Sequence, residues 1–254
     1  MRLPHQRYVA AYPNRRDVAR MKVVFVGPTV PDASEMAGEA LVIRPPARQG
    51  DILRAVRDGA TAIGLVDGIF ERVAPVWHKE ILFALSQGIA VLGAASMGAL
   101  RAVECAAFGM IGVGAIYREY AAGGTVDDSD VALLHAPQEL GYAPLTLPLV
   151  NVRATLRRLA ERQTITAQQA SAIEDAAAKL FYKERTWPTI IAGARLPHVD
   201  REALAAMLRA GYVDQKHADA LELLQELSLL SGADASRPGW TFNATSLWTR
   251  LQDT

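Results

Sequence analysis

Between residues 21 and 109 the chain alternates short β-branched runs with stretches of helical spacing, and glycine or proline punctuates nearly every change. Residues 22–26 form a β-branched and aromatic run that stops at Gly27-Pro28. Residues 40–43 form a second run, closed by Pro45 and Pro46. Asp51 stands where it can cap a helix carrying Ile52, Ala55 and Val56, with Gly59 as its stop. Residues 62–66 read as the next strand, ending at Asp67-Gly68. The spacing predicts a helix over 77–87, with Trp77, Ile81 and Leu85 on one face, and a strand over 89–92. A helix over 97–108 follows, ended by Gly109. Strands separated by helices cannot pair as hairpins. The expectation is an α/β fold: a short parallel sheet flanked by helices, joined by right-handed crossovers.

Beyond residue 145 the texture changes. Leu149, Val152, Leu156 and Leu159 have helical spacing. Thr166 and Gln169 stand as a capping box before a helix near 167–182. Asp200 precedes a helix ending near Ala210-Gly211, and residues 214–228 are amphipathic. The expected organisation is an α/β core over 21–150 and a mainly helical C-terminal region over 151–254. That region packs on the sheet or forms a small lobe, with a loop near 231–238. Residues 1–20 hold Arg2, Arg7, Arg15, Arg16 and Arg20 against Asp17 alone. They read as a disordered extension or a mis-called start, because Met21 opens the first strand.

Composition narrows the function classes. Formal net charge is zero over 254 residues, which provides no field for nucleic acid or an anionic membrane. No apolar run approaches the roughly 20 residues of a membrane span. Cys105 is the single cysteine. It excludes an internal disulfide, is too little for a zinc site, and fits a reducing, cytoplasmic location. No cofactor or metal is expected.

In a parallel sheet the carboxyl ends of the strands share one edge, where ligands usually bind. Asp67 and Ser96 fall at two such ends, and Lys79 falls in the first turn of a helix that starts on that edge. Ser96 lies between Ala94-Ala95 and Met97-Gly98 at a strand-to-helix turn. The pattern resembles a relaxed nucleophile elbow, with Ala94 where the usual motif has glycine. The amides of Met97 and Gly98 open the helix and suit a developing oxyanion. A serine in this place is also a common N-cap, stabilising by about 1 kcal/mol without chemistry. His78 and Lys79 are rival bases for Ser96. They diverge by about 100° on a helix, so only one of them faces the site, and spacing does not choose between them. Arg101 reads as an ion-pair partner of Glu104, three residues on, or else as a holder of a carboxylate or thiocarboxylate. Residues 127–130 read as a solvated loop or strand start, His135 as a core histidine, and Cys105 as a buried, inert thiol. The Gly27-Pro28-Thr29 turn lacks the glycine spacing of a phosphate loop.

Several blocks, in order, resemble the TfuA family. They are residues 24–28, 65–68, 76–80 (with Trp77-His78-Lys79-Glu80), 93–102 (with Ser96-Met97-Gly98), 108–114, 128–132 and 151–155. The resemblance implies an accessory protein of YcaO enzymes, which use ATP to replace a peptide oxygen with sulfur. It implies hydrolysis of a thiocarboxylated ThiS-like sulfur carrier to release sulfide, and help in engaging the peptide or protein substrate. It implies a serine–lysine pair, carried by motif onto Ser96 and Lys79. In the mechanism built on that pair, Asp67 orients Lys79 or binds the carrier tail, and it ranks below the pair because an ionised carboxylate too close would raise the lysine pKa. The rival expectations are a scaffold that docks YcaO, carrier and peptide without chemistry, and a general serine hydrolase.

Overall fold

The computed structural model describes residues 21–37, 41–69, 71, 73–123, 127–197, 199–231 and 238–252. The extension expected at 1–20 lies outside them, as does most of the loop expected at 231–238. Five strands form one sheet: β1 (Met21–Phe25), β2 (Leu41–Arg44), β3 (Ala60–Leu65), β4 (Ala90–Ala94) and β5 (Ile111–Val113). Their order is β2-β1-β3-β4-β5, and every pairing is parallel. The central strands are buried on both faces: Val23, Val24, Ile63, Leu65, Val91 and Leu92 are inaccessible or nearly so. That is why they read as continuous apolar runs rather than alternating ones. The chain steps outward from β1 to β2 and then crosses back to β3. The reversal makes a switch point between the carboxyl ends of β1 and β3.

Helices cover both faces. On one face lie α2 (Asp51–Arg57), α3 (His78–Ser86) and α4 (Met97–Cys105), whose Ile52, Ile81 and Ala102 pack with Phe25, Ile63 and Val91. On the other lie α1 (Ala33–Met36) and the long α11 (Gln215–Leu229), whose Ala220, Leu223 and Leu227 pack on Val24, Ala62 and Leu92. The connection from β5 to the C-terminal region runs through α5 (Gly114–Ala121) and α6 (Asp128–Val131). A third core is shared by α7 (Leu149–Glu161), α8 (Ala167–Ala178), α9 (Trp187–Gly193) and α10 (Arg201–Ala210). Last, α12 (Ser246–Gln252) brings Trp248 back onto α3, where its ring meets Phe83. The fold is therefore α/β, a five-strand parallel sheet followed by a mainly helical region. Among the described residues no helix is long and apolar enough to cross a membrane.

The local signals have physical outcomes. Thr166 and Gln169 form the expected capping box, and Asp200 accepts from the amides of Glu202 and Ala203. Asp51 does not cap α2. Gly50 does, at φ 91°, while Asp51 is the first helical residue and accepts from the Arg48 amide and the Arg54 guanidinium. Residues 127–130 are neither a solvated loop nor a strand start. Asp127 caps the single turn of α6 through the Ser129 amide, and Asp130 is buried against Arg153 at 2.6 Å. His135 is half-buried, with Nδ1 at 2.7 Å from the Ala136 carbonyl oxygen. Cys105 is buried, and burial pushes its thiol up to about 11. That leaves it inert as a nucleophile.

Candidate active site

The switch point is filled from within. Asp67, two residues past the end of β3, is 2% exposed. Its carboxylate accepts from the Gly27 and Thr29 amides at 2.9 and 3.0 Å and from the Thr29 hydroxyl at 2.6 Å. The amides after β1 are the groups that would bind an anion in a nucleotide fold of this order, and here they hold a carboxylate of the chain itself. Asp67 is therefore a brace between β1 and β3. Replacing it with alanine leaves two buried amides without acceptors. Asp67→Ala is expected to cost about 2 to 4 kcal/mol, read as a lowered urea midpoint with an unchanged slope.

One strand over, the β4–α4 turn is tight and strained. Ala95 has φ 65°, a left-handed backbone that non-glycine residues adopt at a cost of about 1 to 2 kcal/mol. Ser96 follows. Its amide donates to the Ala94 carbonyl at 2.7 Å, and its own carbonyl accepts from Ala99. Ser96 holds the N-cap position of α4, yet its side chain makes no capping hydrogen bond. Among the described residues the hydroxyl has no partner at all. Met97 and Gly98 differ in a way that the sequence conceals. The Gly98 amide is committed to the Val66 carbonyl at 3.1 Å, so it has no hydrogen left for an oxyanion. Among the described residues the Met97 amide has no such partner. A Cβ on Gly98 would stand 1.8 Å from the Leu65 carbonyl oxygen, and one on Gly93 would stand 2.1 Å from the Gly98 carbonyl oxygen. These close approaches set Ser96 at the sheet edge.

Lys79 lies in the first turn of α3, on the same edge. Its Nζ donates to the Asn243 carbonyl at 2.6 Å and stands 5.0 Å from the Phe242 ring centroid. No hydrogen bond joins it to Ser96 or to Asp67. His78 and Arg101 meet on the α3–α4 seam, where both contact Glu104 Oε2, at 2.7 and 2.6 Å. Burial pushes the Glu104 carboxyl up, but the bonds from His78 and Arg101 outweigh it and hold the group below its usual range. Arg101 also donates to the Val76 carbonyl. Both side chains are thus occupied away from Ser96. Among the described residues no three His, Cys, Asp or Glu side chains gather as a metal site.

The family model described as TfuA-like protein matches residues 67–186. The chain carries a TfuA-like domain. No curated protein matches the sequence. The matched stretch runs from Asp67, contains Lys79 and Ser96, and stops just before α9. It contains the Asn151-to-Thr155 block, whose role the fold makes plain. Asn151 Nδ2 donates to the Tyr212 hydroxyl at 2.7 Å and to Asp214 at 2.9 Å, and its Oδ1 accepts from the Lys216 amide at 3.1 Å. Thr155 Oγ1 accepts from the Val213 amide. The matched stretch thereby grips the first turn of α11, which lies beyond residue 186.

That turn holds a residue that sequence reasoning missed. Lys216 is 3% exposed, and its Nζ donates to the Val131 carbonyl at 2.8 Å. Burial holds its amine below the usual lysine range, against the raising influence of Asp67 and Asp214. One signal was present: Lys216, Ala220, Leu223 and Leu227 share one helical face, so a lysine stands on an apolar stripe.

Proposed function

We propose that this protein is an accessory partner of a YcaO enzyme in peptide thioamidation, and that it hydrolyses a thiocarboxylated, ThiS-like carrier to release sulfide. The observation that carries the reading is the Ser96 hydroxyl. Among the described residues it has no partner, and it follows a strained Ala95 and stands beside a Met97 amide without an acceptor, within the stretch that matches the TfuA-like family model. Backbone strain that surrounding structure maintains is concentrated at functional sites. A serine freed from capping is available for attack.

The chemistry is acyl transfer. A lysine amine takes the Ser96 proton, and Oγ bonds to the carrier's terminal thiocarboxyl carbon. The Met97 amide donates to the oxyanion. The C–S bond breaks, and the proton returns to sulfur as hydrosulfide leaves. Water then cleaves the acyl-serine to carrier carboxylate and Ser96, with release of one proton. The family motif gives the amine role to Lys79, which would first have to leave the Asn243 carbonyl. Asp67 holds the turn after β1 and takes no part in proton transfer. No cofactor is required by these steps.

The test is sulfide release from thiocarboxylated carrier by the purified chain, with and without YcaO. Release above the carrier alone, in the absence of YcaO, supports the hydrolase. Release only in the full mixture, or none, favours the second reading, a scaffold that docks YcaO, carrier and peptide. That reading draws on a cavity of about 390 Å³ away from Ser96, walled by Leu145, Trp187 and Pro188 with Arg209 and Tyr212 at its polar side.

A further inference from the structure

We propose that the recess between residues 144–147 and the start of α9 is a docking site for an acidic polypeptide segment, one that presents a bulky apolar side chain beside a carboxylate. The inference stands whether the protein hydrolyses a carrier or only docks one, since a polypeptide has to be held in both readings. The recess has a volume of about 390 Å³. That is the low end of the range for small-molecule sites, about 300 to 1,000 Å³, and it gives room for a side chain and its neighbours rather than for a dinucleotide. Trp187, 6% exposed, forms the floor. Pro188 and Leu145 stand exposed at the rim, Leu145 at 56%. A leucine left this open beside a concave apolar surface extends one continuous apolar patch, and such patches mark interaction sites.

The recess is built in advance, and its charge is unspent. The Leu147 amide donates to the Arg185 carbonyl at 2.8 Å and ties the two walls together, and the Leu145 amide donates to the Leu134 carbonyl at 2.8 Å. Thr146 Oγ1 accepts from the Leu134 amide, Thr186 Oγ1 from the Thr189 amide, and the Tyr212 hydroxyl from Asn151. Arg209, in the last turn of α10, is the charged residue of the lining. Among the described residues its guanidinium has neither a carboxylate nor a hydrogen-bond acceptor. The wider lobe has the same sign. Over residues 151–210, ten Lys and Arg stand against six Asp and Glu. Among the described residues the exposed Arg158, Arg162, Arg195 and Arg201 also lack a carboxylate at ion-pair distance. A chain that is neutral as a whole therefore keeps an excess of positive charge on this lobe, and such a field draws in an acidic partner. A small acid would use Arg209 alone. Free arginines spread along the lobe suit a longer acidic chain.

Tyr142 links the recess to the sheet edge. It lies three residues before Leu145, and a Cβ on Gly27, after β1, would stand 3.3 Å from the Tyr142 ring. Three residues span at most about 11 Å of chain. An extended segment anchored in the recess therefore reaches the carboxyl end of β1 within about three or four residues. The recess acts as an exosite: it holds the partner by one side chain while the neighbouring residues run toward the edge that bears Ser96.

The experiment is a titration of the isotope-labelled full chain with the blocked peptide acetyl-Gly-Glu-Leu-Glu-Gly-amide, followed at the assigned indole N–H resonance of Trp187. A saturable shift is expected, with a Kd of about 1 mM or tighter, weakened by added salt. Arg209→Gln is expected to weaken binding about 10-fold, and Leu145→Ser about 5- to 10-fold. Both side chains are exposed, so both variants are expected to melt as wild type. Arg162→Gln removes the same charge elsewhere on the lobe and is expected to change Kd by less than about 2-fold. Peptides with Gln-Leu-Gln or Glu-Ser-Glu at the centre are each expected to bind about 10-fold more weakly than the parent. No shift of Trp187 up to about 5 mM peptide overturns the proposal. Equal weakening by Arg209→Gln and Arg162→Gln also overturns it, since a diffuse field without a site would then account for binding. So does tighter binding of hexanoate, which would make the recess a pocket for a small apolar acid. Tighter binding of a single-stranded oligonucleotide of about 12 nucleotides would make the lobe a nucleic-acid surface and overturns it too.

Discussion

Gly98→Ala is expected to destabilise the protein by more than about 3 kcal/mol, although alanine is the better helix former. Two effects oppose each other at this position. In a helix, alanine gains about 1 kcal/mol over glycine. Against that, the new methyl would lie 1.8 Å from the Leu65 carbonyl oxygen and 2.6 Å from its carbon. Both are backbone atoms of a central strand. No rotamer change relieves such a contact, so α4 or β3 has to move. Moving α4 breaks the bond from the Gly98 amide to Val66, and it disturbs the packing of Met97 and Ala102 against the sheet. Overpacking of a core costs about 1 to 3 kcal/mol when side chains can adjust, and more when they cannot. For a chain of this size each kcal/mol lowers the melting temperature by roughly 2 to 4 °C, so a fall of about 6 to 12 °C or a failure to fold is expected. A melt within about 2 °C of wild type would mean that the β4–α4 turn yields freely. The close fit of α4 on β3 would then not be what sets Ser96 in place.

The sheet was legible because its strands are short, apolar and fenced by Gly27-Pro28, Pro45-Pro46, Gly59, Asp67-Gly68 and Gly88. The third residue of the candidate edge, Ser96, was legible for the same reason, since it follows a strand and opens a helix. The pieces that escaped depend on contacts far apart in sequence. β5 has only three residues, with glycine at its centre, and presents no periodicity. The commitment of the Gly98 amide to Val66 spans 32 residues and involves no side chain. The role of Asp67 is set by where its carboxylate reaches, back to Gly27 and Thr29, and a strand-end acid by itself does not announce an acceptor of three hydrogen bonds. Lys79 was placed on the right edge, but its direction was not legible, because the Asn243 carbonyl that receives it arrives 164 residues later. Lys216 lay on an apolar stripe in plain view, but a buried lysine is rare enough that an exposed one is the ordinary expectation.

Ser96→Ala is expected to lower sulfide release from the thiocarboxylated carrier by at least about 1000-fold, with almost no change in stability. The two readouts together separate the nucleophile from the cap. A capping serine contributes about 1 kcal/mol through its side-chain oxygen, and its loss would lower the melting temperature without touching chemistry. Ser96 makes no such bond, so its hydroxyl has nothing to lose in the fold. The substitution leaves the Ala95 backbone, the Met97 amide and the close fit of Gly98 in place, and a change within about 0.5 kcal/mol is expected. Removing a covalent nucleophile leaves only what binding and oxyanion donation supply. In serine hydrolases that residue of activity is about 1000 to 10,000-fold above water, against a loss near a million-fold from the nucleophile. This site has one free amide at the oxyanion position rather than two, so less remains once Oγ is gone. A Ser96→Ala protein that melts as wild type and releases no sulfide assigns the attack to this hydroxyl. Release at the wild-type rate would remove Ser96 from the chemistry. The strained turn at Ala95 would then have to serve docking, and the protein would act beside YcaO as a carrier-binding scaffold.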